Sequence, residues 1–174
     1  MGYNPRIKWE RRVLTEKKRI LFVCLGNIVR SPLAENMFRH LAAQAGLADK
    51  YEVDSAGTAA YHIGEEPDAR MREVAAARGL VYTGSGRQFT AQDFKDFDLI
   101  VPMDGTNKAD VLRLAERDDQ RARVHLMREF DPLADPTDGV PDPYYDGMDG
   151  FREVYDIVER SARELLRQLE QGMI

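Results

Sequence analysis

From residue 20 onward the chain alternates short apolar runs with segments whose apolar positions recur at helical spacing. Ile20–Cys24 is a continuous apolar run, as in a strand buried on both faces. Ser31-Pro32 predicts a helix start, as N-cap and first helical residue. Leu33, Met37, Phe38 and Leu41 follow on one helical face, and Gly46 is the stop. Tyr51–Ala56 predicts a second strand, Asp68–Arg78 a second helix and Phe97–Val101 a third strand. A helix over about Thr106–Leu114, a short fourth strand at Val124–Met127 and a long helix over Phe151–Leu169 complete the pattern. Phe130–Tyr145, between the last two, is a proline-rich loop. Strands separated by helices imply right-handed crossovers and a parallel sheet covered on both faces: a single three-layer α/β domain.

Charge divides the chain unevenly. Residues 1–19 hold seven basic side chains against two acidic ones, a balance of +5, while the whole chain carries −5, so the remainder carries −10. Residues 1–17 therefore read as a basic N-terminal extension and 18–174 as the domain. The negative balance argues against broad nucleic-acid binding, which needs a cationic surface. The longest apolar run, Ile20–Leu25, is six residues, against the roughly 20 that span a bilayer. A single cysteine, Cys24, allows no internal disulfide. With no apolar leader-like stretch near the start, these features predict a cytoplasmic protein.

The candidate chemistry sits where the first strand meets the first helix, in Val23-Cys24-Leu25-Gly26-Asn27-Ile28-Val29-Arg30-Ser31-Pro32. In open parallel sheets, ligands bind beyond the C-terminal strand ends. A helix start there offers free amides and a positive dipole end to an anion. Cys24 and Arg30 bracket five residues, Leu25 to Val29, enough for a loop whose amides curl inward around a phosphate. Gly26 and Asn27 tolerate the unusual backbone angles that such curling requires. A helix N-terminus beside a guanidinium favours the thiolate, the reactive form of cysteine. Arg30 can hold two phosphate oxygens in a planar fork, and Ser31 can donate a hydrogen bond to the sulfur. Bare Cys-x5-Arg is a short and frequent pattern. The strand, the Gly-Asn pair, Arg-Ser-Pro and the following helix give it meaning.

A departing alkoxide or phenoxide needs a proton, so a carboxyl group on a mobile segment near the loop is required. Residues 131–149 carry Asp131, Asp135, Asp138, Asp142, Asp146 and Asp149, and four prolines there forbid a helix. Asp142 stands out: Pro141 and Pro143 stiffen its backbone, and Tyr144-Tyr145 follow. Those rings either line a slot for a flat substrate or pack against the final helix.

These segments together resemble the low-molecular-weight protein tyrosine phosphatases. The resemblance rests on Val-Cys-Leu-Gly-Asn-Ile-Val-Arg-Ser-Pro near the start and Val-Pro-Asp-Pro-Tyr-Tyr near the end. Asp54–Thr58, Tyr61-His62, Arg87–Thr90 and Met103-Asp104 lie between them, and the likeness runs from about Lys18 to Leu169. It implies a four-stranded parallel sheet of order 2-1-3-4, with no metal and no cofactor. It implies hydrolysis of phosphotyrosine on proteins through a phosphocysteine on Cys24, with inorganic phosphate as product and inhibitor. Arg30 would be the clamp, Ser31 the leaving-group helper and Asp142 the general acid. Asn27 and Ser55 would brace the loop, and Tyr61 and Tyr144 would form aromatic walls, with Tyr145 nearby. Ile28 looks like the tyrosine-specific members, since arginine phosphatases of the family have threonine there.

The chain departs from the family pattern in three places. The extension 1–17 is absent from most members, Val29 replaces a second cysteine, and Gly84 stands where many members have histidine. Two competing functions are an arsenate reductase-like enzyme completed by an external thiol and a silent phosphate-binding module. The first lacks relay cysteines in this chain; the second would lack the nucleophile or the acid.

Overall fold

The computed structural model describes residues 16–174, so all but two residues of the expected basic extension lie outside the described residues. β1 (Lys18–Cys24) lies between β2 (Tyr51–Gly57) and β3 (Leu99–Pro102), with both pairings parallel. Four helices accompany the sheet: α1 (Arg30–Gln44), α2 (Ala69–Ala77), α3 (Gly105–Arg113) and α4 (Met148–Glu170). Single helical turns occur at Asp93–Asp96 and Asp118–Arg121.

The period-2 alternation of β1 divides the core. Ile20, Phe22 and Cys24 face the larger apolar cluster, which α1, α2 and α4 cover. Leu21 and Val23 face a smaller one beneath α3, with Phe89, Phe94 and Val111. All four residues 20–23 are fully buried, which is why they read as one unbroken apolar run rather than an alternating strand. Burying a side chain the size of Phe22 or Phe38 contributes about 1.5–3 kcal/mol.

The expected fourth strand is corrected. At 124–127 the chain makes one parallel bridge, Ile100 with Val124. The Ile100 N–H donates to Arg123 O and the His125 N–H to Ile100 O. The next bond would need an N–H from Pro102, which proline lacks, so the ladder stops. The chain turns instead into a 3₁₀ segment at Met127–Phe130. The hydrogen-bonded sheet thus has the order 2-1-3.

The start of α1 is corrected as well. The helix begins at Arg30, and Val29 at the N-cap position supplies no side-chain cap. Ser31 lies inside the first turn, fully buried, with its hydroxyl turned toward Cys24 and Asn27 rather than toward helix amides. Pro32 is tolerated there because first-turn amides lack intrahelical acceptors in any case.

Candidate active site

Five residues connect β1 to α1, and their neighbours force them into a tight loop. Asn27 is the one non-glycine residue with a left-handed backbone among the described residues, φ 54°, a conformation asparagine accepts readily. Gly57 ends β2 directly beneath the loop: a Cβ there would come within 2.9 Å of Leu25 O and 3.1 Å of Asn27 N. The carbonyls of Cys24, Leu25 and Ile28 accept from the N–H groups of Thr58 (2.9 Å), Ala59 (2.9 Å) and Asp68 (2.8 Å). Among the described residues, the N–H groups of 26–29 find no acceptor within the protein. Carbonyls that are taken and successive amides that are free are what an anion-binding nest requires.

The loop is braced by a continuous polar chain. The Arg87 N–H donates to Asn27 Oδ1 at 3.0 Å, which orients the amide. Asn27 Nδ2 then donates to Ser31 Oγ and to Ser55 Oγ, both at 2.9 Å. The Ser55 hydroxyl donates to the Glu35 carboxylate at 2.8 Å. Ser31 Oγ lies 3.0 Å from Cys24 Sγ. A Cβ on Gly84 would meet only Pro67, at 3.6 Å and beyond. The brace therefore closes without a side chain at 84: Glu35 accepts directly from the Ser55 hydroxyl.

Arg30 is 2% exposed. Its Nη1 donates to Asp104 Oδ2 at 2.6 Å and to Val140 O at 3.0 Å. Asp104 divides its oxygens, for Oδ1 caps α3 through the Asn107 N–H at 2.8 Å. With Nη1 so held, the Nε and Nη2 edge of the guanidinium makes no hydrogen bond among the described residues. Nη2 lies 3.5 Å from Asp142 Oδ2. A free two-nitrogen edge is the geometry that grips two oxygens of a phosphate.

One cavity of about 340 Å³ joins these parts. Cys24, Leu25, Gly26, Ile28, Val29 and Arg30 form its floor, Tyr61 and His62 one wall, and Asp142, Tyr144 and Tyr145 the other. Of the six aspartates between 131 and 149, Asp142 alone lines it. Asp131 is buried against Arg128 and Arg160, Asp138 accepts from the Asp135 N–H, and Asp149 pairs with Arg152. Tyr144 bears on both expectations for the aromatic pair. It lines the cavity and also packs on the main core, while Tyr145 crosses it edge-on at 5.0 Å and stays 95% exposed. Among the described residues, no group of three His, Cys, Asp or Glu side chains is placed to hold a metal ion.

Residues 19–173 match the family model of low molecular weight phosphotyrosine protein phosphatase. The chain belongs to this family. A low molecular weight protein-tyrosine-phosphatase of Streptomyces coelicolor is 42% identical over 154 residues, 88% of this chain and 94% of that protein. The crystal structure of an Entamoeba histolytica protein tyrosine phosphatase superposes with a TM-score of 0.86 at 39% identity, covering 91% of this chain and all of that one. The Drosophila arginine phosphatase has the same fold, with a TM-score of 0.80 at 33% identity over 87% of this chain and 97% of that chain.

In this low-molecular-weight phosphatase, four side chains around the site carry weight that residue patterns alone did not reveal. Glu35 ends the brace, Asp104 fixes Arg30, and Arg87 ties the Asn27 loop to Asp54 and Asp93. His62 leans over the loop, and a Cβ on Gly26 would come within 2.9 Å of its ring. Asp104 had a readable signal: an aspartate just past a strand that pairs in parallel with β1 must arrive at the same sheet edge as Cys24.

Proposed function

We propose that this protein hydrolyses phosphotyrosine on proteins by way of a phosphocysteine. In the first step the Cys24 thiolate attacks phosphorus, the P–O bond to the phenol breaks, and Asp142 gives its proton to the departing oxygen. In the second step water attacks the phosphocysteine, Asp142 takes the water proton, and the P–S bond breaks to release inorganic phosphate and the thiolate. Arg30 and the amides of Leu25 to Val29 hold the phosphoryl oxygens and stabilise the charge that builds on them. Ser31 donates to the sulfur as it leaves.

The observation that carries this reading is one cavity holding the Cys24 sulfur, the free edge of Arg30 and the Asp142 carboxyl, walled by Tyr61 and Tyr144. The rings suit a flat phenyl ester, and Ile28 keeps the floor apolar. Asn27 and Ser55 act as braces, and Tyr145, on the exposed rim of the cavity, meets residues that flank the phosphotyrosine. An arsenate reductase-like activity would depend on an external thiol, because the chain holds no second cysteine for a thiol relay. No helix among the described residues is long and apolar enough to cross a membrane. We take the domain as 18–174, the compartment as the cytoplasm, and the partners as phosphotyrosine proteins and inorganic phosphate, with no nucleic acid.

The test is hydrolysis of p-nitrophenyl phosphate and of a phosphotyrosine peptide at mildly acidic pH with chelator present. Turnover inhibited by vanadate and by phosphate supports the reading. Phosphate binding without turnover would establish a silent binding module instead.

A further inference from the structure

The first turn of α2 touches both halves of the site without entering the cavity. Its N-cap, Asp68, donates its backbone N–H to Ile28 O of the phosphate loop at 2.8 Å. The Asp68 carboxylate accepts from the Arg70 N–H (2.8 Å), Nε (3.1 Å) and Nη2 (2.8 Å). Arg70 then reaches across to the acid loop, where Nη1 donates to Tyr144 O at 2.9 Å. Its guanidinium lies 4.5 Å from the Phe151 ring centroid and 5.2 Å from that of Tyr144. Tyr144 is held at its other end too, since its N–H donates to Asp142 Oδ1 at 3.1 Å. A continuous path therefore runs from Ile28 through Asp68, Arg70 and Tyr144 to Asp142.

Each link of this path restrains a different degree of freedom. The bond from Asp68 to Ile28 fixes α2 against the nucleophile loop. The two bonds from the Arg70 guanidinium to Asp68 leave its plane little room to turn, and the two rings limit its tilt. All three guanidinium nitrogens are engaged at once, a pattern that a lysine ammonium cannot reproduce. Burial alone would raise the Asp68 carboxyl, but hydrogen bonds and charge from Arg70 outweigh it and hold the group below the usual carboxylate range. The pair therefore stays ionised under working conditions.

We propose that Arg70 is a positioning residue for the general acid, holding the Asp142 carboxyl and the Tyr144 ring at a fixed distance from Cys24. The proposal rests on the reading of Asp142 as proton donor. Arg70 does not line the cavity, so it acts on the reaction only through the loop it holds. Misplacing a reacting group by about 1 Å can cost about 10²-fold in rate.

The experiment compares R70A, R70K, D142N and the double variant R70A/D142N with the unmodified protein. Substrates are phenyl phosphate, whose leaving group needs a proton, and dinitrophenyl phosphate, whose leaving group does not. R70A is expected to lose about 10- to 100-fold in kcat/KM, which reports formation of the phosphocysteine, on phenyl phosphate and less than about 3-fold in kcat/KM on dinitrophenyl phosphate, with vanadate affinity retained. R70K should fall between R70A and the unmodified protein, and the double variant should be no slower than D142N, because both changes disable one function. Equal loss in kcat/KM on both substrates, weakened vanadate binding, or additive loss in the double variant would show that Arg70 merely supports the fold. If R70A does not fold, R70K carries the same comparison. D142N separates the two readings: no leaving-group dependence in D142N overturns the acid itself, whereas dependence in D142N and none in the Arg70 variants overturns only the bracket.

Discussion

Ser31 Oγ lies 3.0 Å from Cys24 Sγ while accepting a hydrogen bond from Asn27 Nδ2 at 2.9 Å. The Ser31 O–H has two acceptors within reach: the sulfur, or Ala56 O at 3.4 Å. The sulfur is the nearer of the two, and once it is a thiolate it can only accept, so the Ser31 O–H donates to it and stabilises the charge as the phosphocysteine breaks. S31A should therefore slow breakdown of the intermediate more than its formation. A hydrogen bond to a charged group is worth about 1.5–3 kcal/mol, or about 10- to 100-fold in that step. The readout is a burst of nitrophenol from p-nitrophenyl phosphate in rapid mixing. Slowing without any accumulation of phosphoenzyme would place the effect elsewhere.

C24S should abolish turnover while leaving the fold intact, because a hydroxyl is a far weaker nucleophile than a thiolate. The sulfur's surroundings are packed, with Cys24 3% exposed, and a serine fits them. Vanadate or phosphate should still bind, as judged by thermal shift. Residual activity above contaminant level in purified C24S would exclude covalent catalysis at this residue.

D142N should slow phenyl phosphate hydrolysis by about 10²–10⁴, the usual range for a lost general acid. Asp138 is the control. Its carboxylate accepts from the Asp135 N–H and does not line the cavity, so D138N should stay near full activity. A larger loss in D138N than in D142N would mean that the acid loop closes differently on substrate.

Val29 is buried and lines the same cavity as Cys24. Peroxide converts a thiolate to sulfenic acid, which a neighbouring thiol can trap as a disulfide. Cys24 is the chain's only cysteine, so its sulfenic acid meets no such partner and proceeds to the irreversible sulfinic acid unless an external thiol intervenes. Prolonged peroxide treatment should thus leave little activity recoverable by dithiothreitol, phosphate should protect, and V29C should recover more. Full recovery of the unmodified protein after the same exposure would refute this.

Asp131 anchors the start of the acid loop. It accepts from Arg160 at 2.7 and 3.1 Å, from Arg128 Nε at 3.0 Å and from the Leu133 N–H at 3.0 Å. Burial pushes its carboxyl up, but the Arg160 and Leu133 hydrogen bonds, the Arg160 charge and Arg128 outweigh it, leaving the group below its ordinary value. A depressed carboxylate binds fewer protons folded than unfolded. Its contribution is therefore present above the unfolded value of about 3.9 and is lost as pH falls through the folded value. D131N should cost about 2–3 kcal/mol at neutral pH, and its denaturation midpoint should depend less on pH below about 4 than that of the unmodified protein. Parallel acid-side stability curves for the two would rule out Asp131 as the titrating group.

What the amino-acid order determined was everything that depends on near neighbours. The buried run Ile20–Cys24, the Gly26-Asn27 turn, the helix after Arg30 and the proline-framed Asp142 follow from backbone preferences within a few residues. Together with the spacing of Cys24 and Arg30, they suffice to locate a candidate phosphate site and to propose its nucleophile, clamp and acid. The apolar strength of Val124–Met127 suggested a fourth strand, yet one missing proton on Pro102 of a different segment ended that ladder. Ser31 had the look of a helix cap but belongs to a chain of hydrogen bonds that passes through Asn27 and Ser55 to Glu35. The tertiary structure alone decided that Asp104 fixes Arg30, that Glu35 completes the brace beside Gly84, and that Arg70 spans 74 positions in sequence to hold Tyr144. Such pairings are set by where strand ends and helix starts converge across the parallel sheet, a distance relationship to which local propensity is blind.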